Sequence, residues 1–558
     1  MDASPLSLLW PGTPPSPAAA DGLARSAADD LKLGEIVAAI VGGAGSRVRL
    51  QQREHFARQT LSQLCTSADV ITYRQAAFQD LVDDPLLQER LADIVPRLEE
   101  LSDAAAMSER IRPAARDGLQ RMVQRLAELE VYVSVARELH DALDRASVRS
   151  SALQRVRDEV RQLAGSAAFR ALELELPRLR ATLGGVRSVT VGVNLGADLA
   201  PQSASIMGFG TEPIKGQQAL LGRLLGGAVG THGITPLRRA ERTPEGWQNE
   251  LQRDLAQLLQ DLAAPVATAL RTYASVSTRR LARLGAELGF LLGGVRLVER
   301  LRRAGLPTCQ PEIVGCDERC TELEDAYDPS LALRLPSSAL ITNPVVFDEK
   351  AARVWVLSGP NRSGKTTFLR ALGLVHVFAQ AGLHVPARSA RLSVVDAIHT
   401  HFPAREQARP GMGRLDEEAE ALATIFKQAT PHSLVLLNEA LAGTSTFEAI
   451  DLARGVLRGL RVLGARAVYV THLHELGAAV GEINATTPGR SCVGSLVSEL
   501  DVQAASSGRN FRIRPGAPRG QSFAARIAEQ HGISYSQLLA LLRQRGIADG
   551  STPAPDGH

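Results

Sequence analysis

The sequence predicts an α/β domain built on buried parallel strands, preceded by a mostly α-helical region that a small strand-and-loop segment interrupts. Three observations carry this. Between residues 306 and 499, short apolar runs at 354–357 (VWVL), 434–437 (LVLL) and 467–470 (AVYV) are separated by helical stretches, the pattern of strands covered on both faces. From about residue 29 to 184 the text is helical: Leu119, Met122, Leu126, Leu129 and Val133 recur at steps of three and four, with charges on the other face. Between these regions, residues 188–195 (SVTVGVNL) alternate β-branched with small or polar side chains, as a strand does.

In chain order, residues 1–28, rich in Pro, Ala and Ser, are expected as a disordered tail. A helical core follows over 29–185, then a strand-and-loop region over 186–245 whose second half is glycine-rich, then a second helical block over 246–305. The α/β domain covers 306–505, a last helical element 506–548, and 549–558 is a short polar tail. At about 150 residues per domain, 558 residues fit this three- or four-part division.

Composition narrows the function classes. The 63 basic and 60 acidic side chains nearly cancel, and only five of the basic ones are lysines (Lys32, Lys215, Lys350, Lys365, Lys427). A uniformly basic coat is excluded, so any nucleic-acid contact rests on local arginine. Arg223, Arg238, Arg239 and Arg242 fall in or beside the glycine-rich region, where contact with a phosphate backbone and a plain solvated loop are both compatible readings. No run approaches the 18 apolar residues of a membrane span and no basic residue precedes the apolar 6–10, so the chain is expected to be cytoplasmic. Five sparse cysteines (Cys65, Cys309, Cys316, Cys320, Cys492) suit a reducing interior; Cys316 and Cys320, with Cys309 nearby, lack a fourth ligand at zinc-like spacing and read as thiols rather than a metal site.

The strongest chemical signal is Gly359-Pro360-Asn361-Arg362-Ser363-Gly364-Lys365-Thr366-Thr367, a P-loop pattern between an apolar strand and a helix. Glycines let backbone N–H groups wrap phosphates, the helix N-terminus adds positive potential, Lys365 supplies a compact cation, and the Thr366 hydroxyl suits Mg²⁺. Seventy-odd residues on, 433–439 (SLVLLNE) places Asn438 and Glu439 at a strand's C-terminal end, where such ATPases keep a metal-side acid and a catalytic base. Glu439 is suited to polarise water; Asn438 can hold a metal-bound water but brings no charge, so Mg²⁺ is held less tightly and hydrolysis is expected to be weak. His472, after the apolar 467–470, orients water or senses the γ-phosphate if its strand neighbours the P-loop, and is structural if not.

Together these blocks resemble the MutS family of DNA mismatch-repair ATPases. The resemblance rests on Gly359-Pro360-Asn361, Ala429-Thr430, Ser433 to Leu436, Gly443 to Phe447 and Thr471-His472-x-His474-Glu475-Leu476, in that family's order. Ile341-Thr342-Asn343-Pro344 looks like the segment that frames the adenine, Tyr73 to Phe78 and Asp83 to Gln88 look like the core, and Gly520, Ser522, Ile527-Ala528 and Gly532-Ile533 look like the dimerising helix-turn-helix. The fold class implied is an α/β P-loop ATPase (ABC-like) preceded by a mostly α-helical core/lever domain with a small clamp region at 186–245. Lever helices would occupy 246–305, and a C-terminal helix-turn-helix dimerisation element 506–548.

The resemblance further implies a homodimer that clamps duplex, mismatched or branched DNA under control of ATP and Mg²⁺, in repair or recombination. Lys365, Glu439 and His472 would be catalytic, Thr366 and Asn438 would hold the metal, and residues 359–367 with Ile341 would bind the nucleotide. The four arginines would be DNA contacts. This sequence departs from the family at several points: it begins at the core with no Phe-x-Glu wedge, which points to bent or branched DNA over a single mispair. Gly413-Arg414 stands where the family has its signature serine, and Leu340 where it has an aromatic beside the adenine segment. The alternative reading, motivated by Asn438, is an ATP-binding scaffold or switch with little or no hydrolysis. A transporter- or chromosome-type ATPase is disfavoured by the lack of an LSGGQ-like signature and of long heptad arms.

Overall fold

The structure, a computed structural model, describes residues 6–13, 22–43, 45–110, 118–184, 188–195, 197, 201–210, 266–273, 278–361, 363–402, 413–441, 445–500, 509–518 and 532–545. The chain divides into two compact units, Met1–Thr13 with Gln79–Leu292, and Pro14–Phe78 with Gly293–His558.

In chain order the described helices are α1 (Arg25–Asp30), α2 (Leu33–Val41), α3 (Arg47–Ser62), α4 (Ala68–Asp83), α5 (Pro85–Arg110), α6 (Gly118–Asp144), α7 (Ser151–Gly165) and α8 (Ala167–Gly184). There follow α9 (Arg279–Ala282), α10 (Leu284–Arg303), α11 (Pro329–Ala332), α12 (Lys365–Ala381), α13 (Arg414–Gln428), α14 (Thr446–Leu463), α15 (His474–Ala478), α16 (Val480–Thr486) and α17 (Tyr535–Gln544).

While α1 to α3 fall in the second unit, the first unit takes in α5 to α8 of the expected helical region. Its core is a stripe of buried side chains such as Leu91, Leu98, Leu129, Val135 and Leu139 from α5 and α6. Two of its buried polar side chains are paired as follows: Asp80 accepts from the Arg149 and Ser150 amides at 2.9 and 2.7 Å, closing the N-terminus of α7, and Tyr273 donates to Glu175 at 2.7 Å. Strands β1 (Ser188–Leu195) and β2 (Pro201–Gly210) form an antiparallel hairpin. The strand expected at 188–195 is therefore present, and its partner takes in Gly208 and Gly210. Arg223, Arg238, Arg239 and Arg242 lie outside the described residues.

The tail expected over 1–28 needs correcting. Leu6, Leu8 and Leu9 are buried, and the Glu287 carboxylate accepts from the Ser7 hydroxyl at 2.8 Å and from the Leu8 amide. Three apolar side chains and a paired buried carboxylate hold a segment whose Pro/Ser-rich composition suggests disorder. Further on, α1 begins at Arg25, ahead of the expected boundary.

In the second unit a six-stranded sheet runs β12-β11-β6-β10-β9-β8, formed by β6 (Val354–Ser358), β8 (Ile398–His401), β9 (Leu434–Asn438), β10 (Arg466–Thr471), β11 (Val493–Leu500) and β12 (Arg509–Pro515). All neighbours are parallel except β12, which is antiparallel to β11. Every residue of β6, β9 and β10 is buried, which explains their unbroken apolar runs. A second sheet, β3-β7-β4-β5, is built from β3 (Glu312–Val314), β4 (Thr321–Ala326), β5 (Asn343–Phe347) and β7 (Ser389–Ser393). Strand β12 falls inside 506–548, where sequence suggested only a helical element, so the α/β sheet extends past its expected end.

Arg466 ties the two sheets together. Fully buried at the start of β10, it donates to the carbonyls of Cys320 (3.0 Å), Ser393 (2.8 Å), Val394 (3.0 Å) and His432 (3.2 Å), and burial pushes its guanidinium down to about 10. Four carbonyls from separate segments share one guanidinium fork. Helix α12 lies almost wholly buried and stops at Gly382, whose φ of +84° supplies the left-handed cap.

Candidate functional site

Parallel register brings the chemically informative residues to one edge of the larger sheet. Ser358 on β6 stands opposite Thr471 on β10 and Val497 on β11, and Val470 on β10 stands opposite Asn438 on β9. The glycine-rich turn, the Asn438-Glu439 pair and His472 therefore leave three adjacent strands at the same end, although more than a hundred residues separate the first from the last.

The turn is packed tightly. A Cβ on Gly359 would stand 2.8 Å from the Ser498 Cβ, and Gly364, with φ of +90°, caps α12 where a Cβ would meet Phe511 at 3.3 Å. Both positions therefore require glycine, one for space and one for backbone conformation. Lys365 is 4% exposed; its Nζ donates to the carbonyls of Gly359 and Pro360, each at 2.8 Å, and lies 3.9 Å from Glu439 Oε1. Burial lowers its pKa, and the Glu439 carboxylate partly offsets this.

Thr366 donates to Asn438 Oδ1 at 3.3 Å, so the two residues singled out for metal face each other. Ser363 Oγ is buried with no hydrogen-bond partner among the described residues, while Ser363's carbonyl accepts from Ser498 Oγ at 3.1 Å. Glu439 adopts φ of +51°, unusual for a residue with a Cβ, and its amide donates to Val470 O at 2.9 Å. That bond continues the β9 ladder one residue past the strand and leaves the carboxylate 29% exposed at the cavity.

A cavity of about 320 Å³, within the range of small-molecule sites, opens here. Ser363, Gly364, Lys365, Thr366, Thr367 and Glu439 line one side. Ile341 and Leu340 line another, where sequence placed the base-framing segment. Gly359, Pro360, Asn361 and Asn438 do not line it, and Arg362 lies outside the described residues. His472 is exposed and not part of the lining. Its strand does neighbour β6, which meets the condition the sequence set for it.

Two lining residues were not legible in sequence. Phe511, on β12, brings an aromatic ring to the lining, beside Gly364. Its carbonyl accepts from Asn343 Nδ2 at 3.2 Å, and Asn343 Oδ1 accepts from the Ile513 amide at 2.7 Å, so one carboxamide binds β12 to the base-side segment. The other is Asp328, 3% exposed, whose carboxylate caps α11 by accepting from the Ser330 amide and hydroxyl at 2.8 and 2.7 Å. Burial raises its pKa against those hydrogen bonds. An aromatic 147 positions beyond Gly364 carries no local sign that it closes the same cavity.

Residues 355–529 match the family described as MutS domain V, and residues 66–304 match the MutS2 N-terminal domain. The DNA mismatch repair protein MutS of Synechococcus sp. is 29% identical over 459 residues, which cover 76% of this chain and 49% of that protein. Its counterpart in Granulibacter bethesdensis is 32% identical over 295 residues, 51% of this chain and 31% of the relative. That of Azorhizobium caulinodans is 39% identical over 208 residues, 36% and 21% respectively. The chain spans about half the length, or less, of these curated relatives. Among the described residues no helix is long and apolar enough to cross a membrane.

Proposed function

Because this chain belongs to the MutS family, we propose that it is a P-loop ATPase, of ABC-like fold, that binds DNA and couples its grip to ATP binding and hydrolysis. The observation that carries this reading is the meeting of Lys365, Ser363, Thr366 and Glu439 at one cavity that Ile341 and Phe511 also line. Phosphates belong at the first group and a base between the second.

The residues fit the nucleotide and its metal. The orphaned Ser363 hydroxyl is a donor awaiting an acceptor, and a phosphate oxygen satisfies it. Lys365 exchanges its two loop carbonyls for phosphate oxygens. Thr366 and Asn438, already within hydrogen-bond distance, would hold Mg²⁺ directly or through water, and the ion would offset charge on the phosphates. Glu439 accepts the proton of the attacking water. Its left-handed backbone aims the carboxylate away from the β9 ladder, the kind of local strain found at working sites. His472, exposed at the end of the strand beside β6, senses the γ-phosphate from the open side.

Asn438 sets the expected activity. A neutral amide leaves the metal with one negative charge fewer than a carboxylate gives, so Asn438→Asp is expected to lower the Mg²⁺ needed for half-maximal phosphate release by at least about tenfold, given Coulomb energies of ~4 kcal/mol for charges ~4 Å apart near a protein surface. A Mg²⁺ titration of both proteins checks this; superimposable curves would remove Asn438 from the metal site. The same residue favours the second reading, a nucleotide-switched scaffold that scarcely hydrolyses.

The DNA grip, on duplex, mismatched or branched substrates, is assigned to the region 186–245 with its arginines, and homodimerisation to 506–548. Steady-state phosphate release with and without duplex and four-way DNA, at two salt concentrations, tests the whole reading. DNA-stimulated turnover with binding that weakens steeply in salt is expected. Basal turnover of zero, unmoved by DNA, would favour the scaffold; absence of DNA binding would overturn the reading.

A further inference from the structure

Away from the nucleotide cavity, the fold brings His432 to Cys316 and Asp317 across 116 positions of sequence. One ligand atom from each, the thiol sulfur, a carboxylate oxygen and an imidazole nitrogen, lie within 4.8 Å of one another. We propose that Cys316, Asp317 and His432 form a binding site for a zinc-class divalent cation, bridging the β3–β4 turn to the loop ahead of β9.

The histidine is oriented for it. His432 Nδ1 lies 3.2 Å from the Cys316 carbonyl, which can only accept, so Nδ1 carries the proton. In the neutral ring that leaves the lone pair on Nε2, and Nε2 is the nitrogen that faces Asp317 Oδ1, at 3.9 Å. A divalent cation at this spacing would be shared by both atoms. A carbonyl on the far ring nitrogen is also the usual way a metal-ligating imidazole is fixed in tautomer and direction.

Both halves are held from behind. Cys316–Glu318 form a 3₁₀ turn in which the Arg319 amide donates to the Cys316 carbonyl at 3.2 Å. Arg391 pairs with Glu318, the last residue of that turn, and with Glu322 beyond it. On the other half, the His432 amide donates to Thr430 Oγ1 at 3.1 Å and its carbonyl accepts from Arg466 at 3.2 Å. At zinc bond lengths of about 2.0–2.3 Å, tetrahedral ligand atoms stand roughly 3.5 Å apart. The ligand atoms stand within 4.8 Å of one another, and the Cys316 and Asp317 side chains are exposed.

Thiolate with imidazole selects zinc over magnesium, and the exposed fourth position takes water. Binding releases the Cys316 thiol proton to solvent, so affinity rises with pH. Sequence showed only the cysteines, without a fourth ligand at zinc-like spacing; His432 enters through the sheet alone.

The test uses the full chain, stripped with a chelator and titrated with Co²⁺. Expected is one Co²⁺ per chain with thiolate-to-cobalt charge-transfer absorbance, displaced by Zn²⁺ and unaffected by excess Mg²⁺. C316S should lose that absorbance, H432A should weaken binding at least about tenfold, and D317N, at a side chain 95% exposed, should weaken it without risk to folding. C492S, an exposed cysteine outside the cluster, should bind as the parent does. No charge-transfer band in the parent, an undiminished band in C316S, or parental affinity in both H432A and D317N would overturn the proposal. None of these readouts depends on ATP.

Discussion

Lys365→Ala is expected to abolish ATP binding at concentrations that saturate the parent protein. The Lys365 ammonium is buried, with two backbone carbonyls as its present partners. In the complex it would meet phosphate oxygens in the same low-dielectric setting, where a hydrogen bond to a charged group contributes about 1.5–3 kcal/mol. Loss of two such bonds raises the dissociation constant at least about a hundredfold. Fluorescent-nucleotide titration checks it, with Lys365→Met as a second variant that keeps the buried stem. Arginine is no remedy: its larger planar fork does not fit a cradle closed by the Gly359 and Pro360 carbonyls. Binding within a few-fold of the parent in both variants would remove Lys365 from the phosphate site.

Glu439→Gln is expected to separate binding from turnover. The carboxamide matches the carboxylate in shape, so ATP still binds, while single-turnover hydrolysis falls about 10²–10⁴-fold, the usual range for loss of a general base. The substitution also removes the negative charge 3.9 Å from Lys365 Nζ, the one influence that raises the lysine's lowered pKa. Lys365 therefore loses its proton at lower pH in the variant, and nucleotide affinity should begin to fall at lower pH than in the parent. Turnover within tenfold of the parent would mean that another group activates the water.

The elements that sequence could locate are those whose evidence is local. A fully buried parallel strand must be apolar throughout, so β6, β9 and β10 announce themselves, and the turn after β6 needs glycines at 359 and 364 for reasons visible within nine residues. The same logic places Asn438 and Glu439, which terminate an apolar run. What escaped depends on distant partners. Phe511 closes the cavity only because β12 returns antiparallel to β11, and β12 itself, with Arg509, Arg512 and Arg514 among seven residues, lacks the apolar run of a buried strand. Leu6, Leu8 and Leu9 look like a tail until the Glu287 carboxylate is supplied from helix α10. His472 shows the converse: its strand lies where expected, yet the side chain is exposed, since strand order fixes where a backbone ends and not where the next residue turns.

Strand order also dictates when the site can exist during synthesis. β6 is made early, but its neighbours are β10 and β11, and the last paired residue of β11, Val497, emerges about 140 residues after Ser358. At ribosomal rates of ~5–20 residues per second, roughly 7–28 s pass before both neighbours of β6 are made and the sheet behind the glycine-rich turn is closed on each side. The other five strands of the six-stranded sheet are all made after β6, so an interior strand of that sheet waits for its neighbours. A nascent chain arrested before β10 should therefore carry an intact binding sequence and no capacity to bind.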